Sequence, residues 1–125
     1  MSDDVLSAQV KDFVIRHITS IEQLELLLLF ASDPSKSWTT QQLVKEMSSS
    51  QESVCQRVKQ LTEDGLLTKD GEIFRFAPTT AVKTGIISEL SMAYGQYRVR
   101  ITELIYSRAG VLKTFSDAFK FKPKE

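Results

Sequence analysis

Apolar residues recur at helical intervals in the first part of the chain. Residues 4–17 form a loose apolar stripe, and the run Ile21–Ala31, IEQLELLLLFA, is apolar on nearly all sides after its first turn. This pattern predicts a first helix followed by a central, buried second helix. Ser20 and Gln23 have the spacing of a capping box at the start of the second helix, and Asp33-Pro34-Ser35 predicts its end.

The apolar runs become shorter after this break. Trp38 predicts a short extended segment. A helix over Gln41–Met47 follows, with Thr39 or Thr40 as its N-cap. Three serines then predict a turn, and apolar residues at intervals of four and three predict another helix over Gln51–Asp64.

Two strand-like runs follow this helix. Leu66–Lys69 and Glu72–Phe76 are separated by Asp70-Gly71, which is typical of a two-residue hairpin turn in which both residues need a positive φ. Gly65 predicts a left-handed residue at the C-terminal end of the preceding helix. The middle of the chain therefore predicts two helices joined by a tight turn and followed by a β-hairpin.

The pattern from Thr80 to Tyr106 predicts one long helix. At about 1.5 Å per residue it would be about 40 Å long, more than a small domain can cover. Its apolar positions alternate at intervals of three and four, which is typical of a helix–helix seam. We expect this seam to hold a homodimer or another oligomer through six residues: Ile87, Leu90, Tyr94, Tyr97, Ile101 and Leu104.

The last 18 residues combine positive charge with aromatic side chains. Arg108-Ala109-Gly110 predicts a hinge, and a basic amphipathic tail follows it. Because several phenylalanines are costly to leave in water, we expect this tail to dock on a protein partner. The predicted docking residues are Leu112, Phe115, Phe119 and Phe121. The chain is thus divided into residues 1–80, an oligomerisation helix over 81–107, and a tail over 108–125.

The stretch Trp38–Pro78 resembles the winged-helix regulators of the multiple-antibiotic-resistance (MarR) type. The features that carry the resemblance are the helix TTQQLVKEM, the turn SSS, and the ending LTEDGLL before the hairpin. The resemblance implies a mainly α (α+β) winged helix-turn-helix with an extra N-terminal helix, a short two-stranded wing and a long C-terminal helix. It also implies a dimeric transcriptional regulator whose partner is double-stranded DNA.

In that family the second helix of the motif enters the major groove. Carried over to this chain, the resemblance implies base contacts from glutamine and lysine side chains, phosphate contacts from the serines at the helix start, and bracing of the backbone from the wing. The implied DNA-binding residues are Ser49, Ser50, Gln51, Ser53, Gln56, Lys59, Lys69 and Arg75.

Charge does not favour DNA binding. The chain has 16 basic and 16 acidic residues, but residues 1–82 hold 8 basic and 12 acidic side chains, whereas residues 83–125 hold 8 and 4. Positive charge is therefore scarce where the resemblance expects DNA. A second hypothesis stays open: a winged-helix protein–protein interaction module that binds no DNA and docks through its C-terminal helix and tail.

Composition and motifs indicate where the protein is located and whether it is an enzyme. The longest apolar run, Leu26–Ala31, is too short to cross a membrane, the N-terminus is acidic without a targeting signal, and the chain has one cysteine. We therefore expect a cytoplasmic protein. No catalytic or metal-binding motif is visible, so we expect neither an enzyme nor a cofactor. Cys55 can be a redox sensor or a small surface residue, and His17 is expected to be an ordinary helix-end residue.

Overall fold

Polar caps fix where the helices begin in residues 6–107, which are the residues that the computed structural model describes. In each of the first five helices, the hydroxyl of a Ser or Thr at the N-cap accepts a hydrogen bond from the backbone N–H three residues further on. The helices are α1 (Ala8–His17), α2 (Ile21–Ser32), α3 (Thr40–Met47), α4 (Gln51–Glu63), α5 (Ala81–Gln96) and α6 (98–107).

Three short strands complete the fold. They are β1 (Ser37–Thr39), β2 (Leu67–Asp70) and β3 (Ile73–Phe76), and they form an antiparallel sheet in the order β1-β3-β2. Trp38 of β1 pairs with Phe74 of β3, so the extended segment before α3 is tied to the hairpin. The order α2-β1-α3-α4-β2-β3 is that of a winged helix-turn-helix, with α1 as an extra N-terminal helix. The predicted winged helix-turn-helix with its extra N-terminal helix and short wing is confirmed.

The hairpin turn differs from the prediction by one residue. Asp70 pairs with Ile73, so the loop consists of Gly71 and Glu72 and not of Asp70-Gly71. Gly71 has φ 65°, and it is the one loop residue with a positive φ. A glycine with positive φ at the first loop position is typical of a type II′ turn, which tolerates an ordinary residue such as Glu72 at the second.

Helix α2 lies at the centre of the core. Leu24, Leu26, Leu27 and Phe30 have no exposed surface, and α2 contacts α4, α5 and β3. A helix surrounded in this way must be apolar on most sides, which is why its sequence lacks a clear polar face. None of the helices in residues 6–107 combines the length and the apolar character needed to cross a membrane.

The prediction of one long C-terminal helix is wrong. The helix ends at Gln96, and Tyr97 has φ −128° and ψ 46° before the chain becomes helical again at residue 98. The bend brings Ile101 and Ile105, which are 0% and 1% exposed, into the core. Their burial explains why the chain bends there, because a straight helix would carry these apolar side chains away from the domain.

The predicted oligomer seam is also corrected. Ile87, Leu90, Tyr94 and Ile101 are buried within the chain itself, Leu104 is half-buried, and Tyr97 alone of the six is exposed. The regular spacing of these apolar residues therefore reflects packing within one molecule. The apolar side chains that α5 and α6 leave exposed are different ones, namely Val82, Met92, Tyr97, Val99 and Tyr106.

Glu25 of α2 holds the bend between α5 and α6 in place. The hydroxyl of Tyr94 donates to its carboxylate at 3.1 Å, and the guanidinium of Arg98 lies 3.5 Å from the same oxygen. The guanidinium also lies 4.9 Å from the centroid of the Tyr94 ring. Burial raises the pKa of Tyr94 above its ordinary value, so its hydroxyl stays protonated and keeps donating. The predicted hinge at 108–110, the tail and its four docking residues lie outside the described residues.

Replacing Gly65 with alanine is expected to lower the free energy of unfolding by about 1–2 kcal/mol, because φ at this position is left-handed. Its φ is +78°, and an added Cβ would lie 3.0 Å from Cγ2 of Thr79. The Gly65 N–H donates to the carbonyl of Thr62, and the Leu66 N–H donates to that of Leu61, which is a Schellman ending for α4. Urea unfolding of the variant measures the loss.

Gly85→Ala is the matched control. Gly85 lies within α5, and a Cβ there meets no atom within 4 Å. Alanine is favoured over glycine inside a helix by about 0.5–1 kcal/mol, so this variant is expected to be more stable than the parent. Two alanine variants with effects of the same sign would contradict the assignment of Gly65 to a left-handed cap.

Candidate nucleic-acid interface

Helix α4 exposes a polar strip on the side opposite its buried residues. Val54, Val58 and Leu61 face the core, since each is at most 1% exposed. On the opposite side, exposed polar residues recur at intervals of four, three and four positions. This spacing places them in one line along the helix. This strip consists of Glu52, Gln56, Lys59 and Glu63, all exposed. It contains two carboxylates and one ammonium group, so it carries a net negative charge at neutral pH.

A groove runs between α4 and the wing. It has a volume of about 550 Å³ and lies between the start of α3, one flank of α4 and the hairpin. Phe74 and Cys55 are among the residues that line it, and its charged residues are Lys59, Glu63, Lys69 and Glu72. We call this feature the α4–wing groove. Its two positive and two negative charges balance.

Three of the predicted DNA-binding residues meet in this groove. Gln51, Lys59 and Lys69 all line it and are exposed. The side chains of Gln51 and Lys59 form no hydrogen bond or ion pair with any other residue in the range 6–107. The ammonium of Lys69 lies 5.8 Å from the centroid of the Phe74 ring. Two unpartnered side chains that carry hydrogen-bond donors thus lie beside the wing.

The side chains of Ser49 and Ser53 do not line the groove but contact α2. Both hydroxyls donate to the carboxylate of Glu22 on α2, and the Arg57 guanidinium lies 3.4 Å from the same carboxylate. Burial raises the pKa of Glu22, but the hydrogen bonds from the two serines and Arg57, with the charge of Arg57, outweigh burial and leave the pKa below its ordinary value of 4.5. Because the hydroxyl protons of Ser49 and Ser53 are engaged by Glu22, these hydrogen bonds do not favour the predicted phosphate and base contacts, which stay predictions. Their hydroxyls fix α4 against α2.

The other three predicted DNA-binding residues, Ser50, Gln56 and Arg75, lie outside the α4–wing groove. Ser50 caps α4, with its hydroxyl accepting from the Ser53 N–H at 3.1 Å, so its own proton is still available to a ligand. Gln56 is exposed but lies on the outer strip of α4, outside the groove. Arg75 pairs with Thr68 across the hairpin, whereas Lys69 pairs with Phe74. Because neighbouring residues of a strand point to opposite faces, Arg75 lies on the other face of the wing from Lys69.

A basic pair beside α3 was missed by the sequence reasoning. The ammonium of Lys36 lies 3.9 Å from the centroid of the Trp38 ring. Lys36, Trp38 and Lys45 line the same shallow depression, together with Gln42. The sequence signal was a lysine two residues before a tryptophan at the start of a strand, where both side chains share one face. Glu46 lines the same depression, so its two lysines and one carboxylate leave a single net positive charge on the α3 side of the domain.

The described residues do not form a metal-binding site. Within residues 6–107, no group of three or more His, Cys, Asp or Glu side chains is arranged to hold a metal ion. His17 instead lies 3.3 Å from the carboxylate of Asp64, the C-cap residue of α4, and so links α1 to the end of that helix.

The sequence and the structure were compared with protein families, curated proteins and solved structures. No family model matches the chain, and no curated protein matches its sequence. The crystal structure of the adhesin competence repressor from Streptococcus pyogenes is similar, with 18% sequence identity over 94% of this chain and 91% of that chain and a TM-score of 0.49. Similarity at this level decides neither fold nor function. The winged-helix assignment rests on the order and pairing of the elements described above.

Proposed function

We propose that this protein binds double-stranded DNA through α4 and regulates transcription. The observation that carries the proposal is the position of α4 as the second helix of a winged helix-turn-helix, with a polar and uncovered outer strip. Gln51 and Gln56 have amides that can pair with the edge of adenine, and Lys59 can reach guanine or phosphate. Glu52 can accept a hydrogen bond from the amine of cytosine. The resemblance to MarR-type regulators supports the same role.

The charges around α4 determine how tightly DNA should bind. Three lysines, Lys36, Lys45 and Lys69, are exposed around α3 and the wing, where they can contact phosphates. Three phosphate contacts per chain predict a slope of about −3 when the logarithm of the binding constant is plotted against that of the salt concentration. We therefore expect weak binding that is best measured at low salt.

DNA binding can be tested by fluorescence anisotropy with genomic fragments at about 50 mM salt, where phosphate contacts are strongest. Changing Gln56 and Lys59 together to alanine is expected to weaken specific binding by about 30-fold or more, since each good base contact contributes about 1–3 kcal/mol. The matched control is Gln9→Ala on α1, which removes an exposed glutamine far from α4 in the sequence. No specific complex at low salt, or equal affinities for the parent and the double variant, would contradict the proposal.

A homodimer and a cytoplasmic location form part of this proposal. The exposed apolar side chains of α5 and α6, among them Met92 (70%) and Val99 (70%), support the dimer because they are costly to leave in water. Sedimentation of the parent and of Met92→Ser with Val99→Ser measures the assembly. A dimer that reads successive major grooves needs its two α4 helices about 34 Å apart.

The alternative is a protein interaction module that binds no DNA. The α4–wing groove favours it, because the residues that line it include Phe74 and its charges balance. A pull-down with the full chain and with a chain that ends at Arg108 tests this alternative. A partner that is lost on shortening the chain supports the module, whereas partners that stay unchanged contradict docking through the tail.

A further inference from the structure

The shallow depression formed by β1 and α3 is separate from the α4–wing groove. It has a volume of about 430 Å³ and is lined by Lys36, Trp38, Gln42, Lys45 and Glu46. We call it the β1–α3 depression. None of its lining residues also lines the α4–wing groove, and none belongs to α4 or to the wing. Its volume is within the range of small-molecule sites.

Hydrogen-bond donors outnumber acceptors in this depression. The ammonium groups of Lys36 and Lys45 form no ion pair with any carboxylate of the described chain. The carbonyl of Gln42 already accepts from the Thr39 N–H, so its amide group is left to donate. Glu46 supplies one carboxylate and pairs with neither lysine. The lining therefore has a net charge of +1 and selects a ligand that is rich in acceptor oxygens.

The indole N–H of Trp38 is a further donor. Trp38 is 6% exposed, and its Nε1 atom is buried without a hydrogen-bond partner among the described residues. Buried N–H groups are nearly always paired, so an acceptor oxygen brought to this ring would be stabilised. The ammonium of Lys36 lies 3.9 Å from the centroid of the same ring. A ligand oxygen at the indole would therefore also lie close to a positive charge.

We propose that the β1–α3 depression binds a phosphate group. The ammonium groups of Lys36 and Lys45 neutralise its charge, and the indole N–H of Trp38 donates to one of its oxygens. Phosphate has enough acceptor oxygens for all of these donors, whereas the charge of Glu46 opposes it. Because Nε1 is shielded from solvent, a neighbouring side chain has to move when the phosphate binds, and the exposed Lys36 is held by no ion pair. The site does not depend on DNA binding by α4.

The single tryptophan of the chain provides the test. Its indole N–H gives one resonance in a proton–nitrogen correlation spectrum of the full-length protein. Adding inorganic phosphate is expected to move this resonance downfield to saturation, whereas sodium chloride at the same ionic strength should leave it in place. Lys45→Gln is expected to weaken phosphate binding by at least about fivefold, the strength of one charge pair at about 4 Å in water.

Two further variants separate a phosphate site from a general effect of charge or folding. Glu46→Gln is expected to tighten phosphate binding about twofold, the strength of a charge pair at about 8–10 Å in water. Lys11→Gln removes a positive charge from α1, outside the depression, and is expected to leave the affinity unchanged. A loss of structure would weaken binding in every variant, so opposite effects at Lys45 and Glu46 exclude it.

The same titration with a DNA duplex distinguishes two sources of the phosphate group. A duplex that moves the indole resonance and is displaced by inorganic phosphate assigns the site to the DNA backbone. A duplex that leaves a phosphate-responsive resonance in place assigns it to a free phosphorylated molecule. Both results support the proposal.

A resonance that does not respond to inorganic phosphate overturns the proposal. Equal phosphate affinities of the parent and Lys45→Gln also overturn it, because the lysine would then take no part in binding. The titration with inorganic phosphate contains no DNA, so a failure of α4 to bind DNA cannot produce either result.

Discussion

Replacing Glu22 with alanine is expected to lower the free energy of unfolding by about 2–3 kcal/mol, because hydrogen bonds to a charged and partly buried group are among the stronger ones. Its carboxylate accepts from Ser49 and Ser53 and lies beside Arg57, and both members of the ion pair are about three-quarters buried. Alanine leaves the guanidinium without its partner and removes a negative charge from the first turn of α2. Urea unfolding at neutral pH measures the loss.

The effect of Glu22 should depend on pH in a defined direction. Its pKa in the folded protein lies below the ordinary value of 4.5, so the folded state binds its proton less tightly than the unfolded state does. The stabilisation is therefore fully present above the unfolded pKa and is lost as the pH falls through the folded pKa. We expect the difference in stability between the parent and Glu22→Ala to be constant near neutral pH and to shrink below pH 4.5.

Glu46→Ala is the control for both measurements. Glu46 is exposed on α3 and forms no hydrogen bond or ion pair with the other described residues, so its loss should change stability by less than about 0.5 kcal/mol. A Glu22 variant that behaves like the Glu46 variant would show that the contacts between α2 and α4 are not stabilising.

The sequence predicted those elements that local signals define. Ser20 caps α2 and Thr39 caps α3 as expected, since a hydroxyl three residues before a free N–H is a purely local signal. Gly65 takes the expected left-handed conformation. The hairpin was placed correctly, but its loop was shifted by one residue because Asp-Gly and Gly-Glu both suit a two-residue turn.

The sequence could not show which partner a residue would choose. The apolar spacing around Ile87, Leu90 and Ile101 predicts a packed helix face, but it is the same whether the other surface belongs to the same chain or to a second copy. The bend at Tyr97 decides in favour of the same chain. Glu22 and Ser53 are 31 positions apart and meet only after α2 and α4 have packed. Side-chain pairs of this kind have no local signature, so the candidate site was predicted less well than the fold.

Replacing Gln23 with leucine is expected to lower the free energy of unfolding by about 2–4 kcal/mol, because two polar backbone groups then lose their partners in a partly buried setting. Gln23 is 1% exposed. Its carbonyl accepts from both the N–H and the hydroxyl of Thr19, and its amide donates to the carbonyl of His17, each at 2.8 Å. The expected capping box is therefore present only in part: Ser20 accepts from the Gln23 N–H, but the Gln23 side chain turns to the α1–α2 loop.

Gln42→Leu separates this role of Gln23 from a general effect of losing a glutamine. The Gln42 carbonyl accepts from the Thr39 N–H at 3.0 Å, but this capping contact is exposed, so water can replace it. We expect that variant to lose no more than about 1 kcal/mol. Leucine is close to glutamine in size, so the difference between the two variants measures the cost of unpaired polar groups and not of a cavity. Equal losses in urea unfolding would mean that the loop between α1 and α2 is held by apolar packing alone, through Ile18 and its neighbours.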